Sequence, residues 1–489
     1  SRGLGDVYKR QPRRGVEKPI ARPQGHRHRI RTRLPEHPEG PETDERNRVA
    51  VAERDGVIGQ RGGNVHVIQN MSVDRLNERV RRDRVRLVMN VLRRMVPVPV
   101  TGLLVVVPLL MTPAAHAEDM PPLRTPALSG LDARTYSGPI GAPGTLIRQV
   151  PLDRSVTLPD AGRAYRVLYA TRDIRGRSAV STGAVFLPRS PAPRGGYPVL
   201  AWAHGTVGLG DDCAPSVLPR IPRDVRYLGH WLRQGYAIVA TDYAGLGTPG
   251  LMNYLSGKVE ATSIVDSVIA AHRMGVPLAR RWAIVGQSQG AGAALAAARD
   301  ANRLSAGHHL DYRGVVATGT PANIEQVVAL AGPQLPPVAL PPALNTYATY
   351  IWAGFADARP DLRPLSILTA EGRRLVRLAR TTCYQDMKPL VRGKTLRDMF
   401  AAPVATIPGV RAALVDYMGT PYSGFDRPIF LGQGLRDVDV PAPSALSLYA
   451  QMRAAGQPVE LHIYPDQDHS GTVIASMRDS TPFLARIMR

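Results

Sequence analysis

Two spacings of apolar residues alternate along much of this chain. Tyr197–Ala203, Tyr236–Asp242, Trp282–Val285 and Arg313–Gly319 are short, largely apolar runs, the pattern of strands buried on both faces. Between them, Tyr227–Gln234, Ala261–Met274 and Ala291–Asp300 have helical character, and Gly235 closes the first. Strands alternating with helices predict right-handed crossovers and a mostly parallel sheet covered on both faces, the α/β class. Ahead of this region, Thr145–Val150, Tyr165–Thr171 and Val180–Leu187, with a turn at Arg172–Gly176, predict an antiparallel edge. Residues 118–142, rich in Pro, Gly and Ser, read as a loose lead-in.

The alternation stops near Pro321. About a hundred residues follow that are rich in proline and hold helical stretches at Leu344–Ala356 and Glu371–Thr381. It resumes with a strand at Pro428–Gly432, a helix at Ala442–Ala455 closed by Gly456, and a strand at Val459–Tyr464. The expected division is a core in two parts, 143–321 and 427–489, with a helical insertion at 322–426. Such an insertion stands at the carboxyl edge of the sheet, where α/β folds bind ligands. A cap over substrate is therefore expected there, rather than a subdomain that only packs.

Charge changes the picture only at the start of the chain. Of the net +22, residues 1–88 supply +9, from 21 basic and 12 acidic side chains. This stretch is Arg-rich and aromatic-poor, has no sustained period and opens on Ser1 rather than methionine, while Ser1–Gln11 resembles adaptor read-through. It is read as upstream sequence outside the native protein. Met89–Ala117 follows with Arg93 and Arg94, an apolar middle at Val100–Met111 and a small-x-small end at Ala115–Ala117. That is the layout of a secretory signal cleaved after Ala117. Pro97, Pro99 and Pro108 interrupt it, and it falls short of the roughly 20 residues a membrane-spanning helix needs. A nucleic-acid-binding arm ahead of such a signal would block export, so nucleic acid is not an expected partner. Export in turn makes the two cysteines, Cys213 and Cys383, an expected disulfide.

The candidate chemistry begins at Gly286-Gln287-Ser288-Gln289-Gly290, which lies between a predicted strand and a predicted helix. Flanking glycines permit a turn sharp enough to hold a serine hydroxyl above the sheet edge. A serine nucleophile needs a neutral imidazole to accept its proton and a carboxylate to hold that imidazole's tautomer. Both should lie on loops after late strands. Asp437 follows Pro428–Gly432, with Asp439 two residues on as the alternative acid. His469 follows Val459–Tyr464 in a Gly/Asp-rich loop beside Asp466 and Asp468, which are read as solvated carboxylates. Among twelve histidines, His462 within a strand and His272 within a helix suit packing or surface roles. The oxyanion of the tetrahedral intermediate needs backbone donors. One is expected at Gln289, the other at Gly205 or Thr206 in the loop after Tyr197–Ala203, with His204 ordering that loop.

Taken together, these residues resemble the secretory lipase family, lipase A type, of the α/β-hydrolase superfamily. The resemblance spans about residues 140–485. It rests on Ala203-His204-Gly205-Thr206, Asp211–Ser216, Thr241–Gly247, the serine turn and the loops of Asp437 and His469. It implies an α/β-hydrolase fold, a Ser288–Asp437–His469 triad, an acyl-binding cap, a Cys213–Cys383 bridge and hydrolysis of triacylglycerols or simpler esters without metal or other cofactor. The yeast type has glycine where this chain has Gln289, a change expected to narrow the acyl pocket and favour simpler esters. The expected partner is an ester or lipid substrate, with transient contact at a lipid surface; no obligate protein partner is evident. A peptidase or acyltransferase could use the same triad, whereas a non-catalytic lipid carrier would have no need of all three groups.

Overall fold

The computed structural model describes residues 125–489. The expected signal at 89–117, residues 1–88 and the first residues of the lead-in lie outside the described residues. Among the described residues, nine strands form one sheet: β1 (Leu146–Pro151), β2 (Ala161–Arg172), β3 (Ser178–Pro188), β4 (Tyr197–Ala203), β5 (Ala237–Thr241), β6 (Leu278–Gln287), β7 (Asp311–Thr318), β8 (Ile429–Gly434) and β9 (Val459–Tyr464). Their spatial order is β1-β2-β3-β5-β4-β6-β7-β8-β9. The first three pair antiparallel, β3 meets β5 antiparallel, and every later pairing is parallel. The mostly parallel α/β sheet read from the sequence is borne out. From β4 the chain steps to β5 on one side and then to β6 on the other. The crevice at the carboxyl ends of β4 and β6 is thus the switch point where such sheets bind ligands.

Alternation within each strand builds a core on either face of the sheet. In β4, Val199, Ala201 and Ala203 pack on one side with α2 (Gly257–Ala271) and α3 (Gln289–Leu304). Leu200 and Trp202 pack on the other, against Tyr227, Leu228 and Trp231 of α1 (Pro222–Arg233). Between β7 and β8 lie α4 (Ile324–Val328), α5 (Pro342–Ala358), α6 (Ala370–Ala379), α7 (Tyr384–Leu390), α8 (Leu396–Met399) and α9 (Val410–Met418). The helix α10 (Ala442–Ala454) connects β8 to β9.

Two differences from the sequence reading bear on function. β6 starts at Leu278 and ends at Gln287, beyond its apolar centre on both sides, because Arg281 continues the ladder opposite Asp311 with its side chain in solvent, and Gly286 and Gln287 continue it opposite Ala317 and Thr318. Backbone pairing, not apolarity, sets the length of that strand. The segment after β9 is no loop: it is a helix of 19 residues, α11 (His469–Ile487). Ser470, Gly471, Thr472 and Pro482 hide it from propensity. Its buried positions, His469, Thr472, Val473, Ser476, Ser480, Phe483, Leu484 and Ile487, nonetheless recur at helical spacing.

Candidate active site

The serine turn is built by close packing. β6 ends at Gln287 and α3 begins at Gln289, so a single residue makes the reversal. Ser288 takes φ 57°, ψ −126°, backbone that a non-glycine residue holds only when its surroundings enforce it. Its N–H donates to the carbonyl of Thr318 on β7 at 2.9 Å. A Cβ on Gly290 would strike the carbonyl oxygen of Ala203 at the end of β4, and one on Gly286 would strike that of Gly290. The helix therefore starts against the neighbouring strand, with Ser288 nearly buried at its mouth (8 % exposed).

The two late loops meet beside this turn. His469, expected in a loop, is instead the first residue of α11, capped by Asp468, whose carboxylate accepts the Gly471 N–H at 2.7 Å. Helix geometry fixes the ring more firmly than a loop would. The Nδ1 of His469 lies 2.6 Å from Oδ2 of Asp437. The other oxygen of that carboxylate accepts the N–H groups of Asp439 and Val440 at 3.0 and 2.8 Å, and Gln433 donates to Oδ2 at 3.4 Å. Asp437 is thus held on every side, with no solvent reaching its side chain. Asp439 points elsewhere and accepts from the Tyr347 hydroxyl at 3.0 Å. Asp466 pairs with Arg436 in solvent. His462 stacks on Phe430, and His272 bonds the carbonyls of Val268 and Ala279.

On the nucleophile's other side is the loop after β4. Gly205 is buried against the turn: a Cβ there would lie 3.5 Å from that of Ser288. Thr206 shares a hydrogen bond of 2.6 Å with the Tyr254 hydroxyl. His204 is buried, stacks on Tyr243 and bonds the carbonyls of Gly205 and Asp242 through its two ring nitrogens. Burial pushes its imidazole below the ordinary histidine range, which suits a structural role. The Gln289 N–H belongs to the first turn of α3, where backbone donors have no helical acceptor and the helix dipole favours negative charge. Its side chain is buried and donates to Glu260 on α2 at 2.7 Å. Burial raises that carboxyl to about 8, so it is largely neutral at pH 7.

The helices between β7 and β8 are tied to these loops. Cys213 and Cys383 form a disulfide with Cα atoms 5.4 Å apart, and the Tyr384 N–H donates to Val207 at 2.9 Å. The start of α7 is thereby fastened to the loop bearing Gly205 and Thr206. Tyr384 stacks on Tyr347, the residue that bonds Asp439. The Asp211–Ser216 and Thr241–Gly247 stretches prove to be braces. Asp242 is fully buried and accepts the Ser216 N–H, the Ser216 hydroxyl and, at 2.7 Å, the Thr182 hydroxyl.

Two residues that touch the site escaped the sequence reading. Glu260 carried a signal, since an acid among apolar residues in a buried helix needs a partner. Gln287 carried none beyond its place in the turn, yet its amide nitrogen lies 2.9 Å from Nε2 of His469. Among the described residues, the Ser288 hydroxyl has no hydrogen-bond partner.

A model of the secretory lipase family matches residues 220–386, from α1 through the serine turn to α7. This match bears out the resemblance to the secretory lipase family read from the sequence, and the chain is a carboxylic ester hydrolase. A prolyl oligopeptidase family model matches residues 413–488, the part carrying Asp437 and His469. Similar solved structures include the closed state of Candida antarctica lipase A, with a TM-score of 0.58 and 18% identity, covering 76% of this chain and 86% of that one. The rice cell-wall-degrading esterase LipA from Xanthomonas oryzae gives a TM-score of 0.56 at 18% identity, covering 71% of this chain and 99% of that one. At such identity these two likenesses speak for the fold. No curated protein matches the sequence.

Proposed function

We propose that this ester hydrolase is exported and works through an acyl-enzyme on Ser288, cleaving acylglycerols or simpler carboxylic esters. The observation that carries the reading is the 2.6 Å bond between Asp437 and Nδ1 of His469, which turns Nε2 toward the serine turn. With the Nδ1–H donating to the carboxylate, Nε2 is free of hydrogen and can accept one. In the proposed cycle Ser288 Oγ attacks the ester carbonyl while His469 takes its proton. The Gln289 N–H and a donor from Gly205 or Thr206 stabilise the oxyanion. As the tetrahedral intermediate collapses, His469 returns the proton to the departing alcohol. Water then attacks the acyl-enzyme with His469 again as base, releasing the acid. Export is supported by the expected signal at 89–117 and by the disulfide, a bond that persists in oxidising compartments.

Ser288→Ala is the direct test. Hydrolysis of a p-nitrophenyl ester should fall at least about a thousandfold with the circular dichroism unchanged, and a fluorophosphonate should label wild type at Ser288 alone. Turnover surviving in the variant would end this assignment. The prolyl oligopeptidase match over the Asp437–His469 region favours one second reading, a peptidase on the same triad. Matched ester and amide substrates separate the two: faster amide cleavage would replace the esterase reading.

A further inference from the structure

We propose that Gln287 is a positioning residue for His469, reserving the neutral, proton-accepting form of the imidazole until Ser288 takes its place. This rests on the proposed role of His469 as base. The geometry is specific. Gln287 is buried (2 % exposed) and is the last residue of β6, and its side-chain Nε2 lies 2.9 Å from Nε2 of His469. With the Nδ1 hydrogen engaged by Asp437, the amide is the donor and the ring nitrogen the acceptor. A protonated ring would set N–H against N–H, so this bond favours the neutral form. A side-chain carbon on Gly319 would stand 2.9 Å from Cε1 of the imidazole, so the end of β7 lies directly against its edge.

Asp437 lies on the Nδ1 side; Asp468 caps the helix of His469; Arg223 reaches Ser470 from α1 and is paired with Asp224; Arg436 is paired with Asp466. Gln287 is the one described side chain bonded to Nε2. The lone pair that must receive the serine proton is thus engaged at rest, and it becomes available to the Ser288 O–H when the amide withdraws. A carboxamide suits this exchange, since it donates without carrying charge into a buried site.

The test compares Gln287→Met, which keeps length and loses the donor, with Gln287→Glu, which substitutes an acceptor that favours the protonated ring. The acid limb of kcat/KM against pH should move to higher pH in both, by about one unit or more for Gln287→Glu and by less for Gln287→Met. At a pH on the wild-type acid limb, Gln287→Glu should therefore be slower by about tenfold, recovering at alkaline pH. Imidazole ¹⁵N resonances of His469, followed through the same titration, should shift in parallel without reliance on turnover. An acid limb and a ¹⁵N titration unmoved in both variants would overturn the proposal. If Ser288 fails to label with fluorophosphonate in wild type, the base assignment itself falls, a result distinct from an unmoved titration.

Discussion

At the scale of single residues, the site is a set of atoms each held by more than one constraint. Asp437 and Asp439 are chemically alike and two positions apart, yet only Asp437 meets the imidazole; Asp439 is taken up by Tyr347. Asp437→Asn should lower kcat by about four orders of magnitude by stabilising the wrong histidine tautomer. Asp439→Asn, which retains an acceptor for Tyr347, should stay within about threefold of wild type; steady-state kinetics on one ester decides between them. Gly290 shows the same economy of space. Because a methyl there has only the Ala203 carbonyl to enter, Gly290→Ala should cost several kcal/mol and displace α3. A wild-type thermal midpoint in that variant would contradict the packing described.

At the scale of elements, α2 stands out, because a helix packed beneath the site carries two buried acids. Burial raises Glu260 to about 8 and Asp266 to about 7, while an unfolded chain would ionise both near pH 4. The folded state thus binds protons that the unfolded state releases across this interval. Their contribution to stability is complete below about pH 4 and is lost as pH rises through 7 to 8. Glu260→Gln keeps an acceptor for Gln289 and removes one titration, so its thermal midpoint should fall less steeply between pH 5 and 8 than that of wild type. Parallel slopes would show that Glu260 does not titrate there.

At the scale of the whole molecule, one covalent bond joins the loop after β4 to the helices that follow β7. It closes a loop of 170 residues, for which the chain-entropy model gives about 5 kcal/mol. Cys213→Ser with Cys383→Ser should lower denaturant stability by up to that amount. Since Tyr384 also bonds Val207 in this region, ester turnover should fall along with stability. Unchanged stability after reduction would mean that packing alone holds the segment.

The sequence by itself determined the class of fold and most strand positions, because buried strands and helices impose spacings that a few neighbouring residues reveal. It also marked Ser288, Asp437 and His469 as candidates, since a glycine-flanked turn and the ends of late strands are local features. Only the tertiary structure decided that α11 begins at His469, because burial against the sheet overrides the weak propensity of its first turn. Which of the two acids meets the imidazole, the bond from Gln287 to that ring and the burial of Glu260 were likewise decided there. Each of these depends on which groups from distant parts of the chain exclude water together, and no stretch of sequence carries that information.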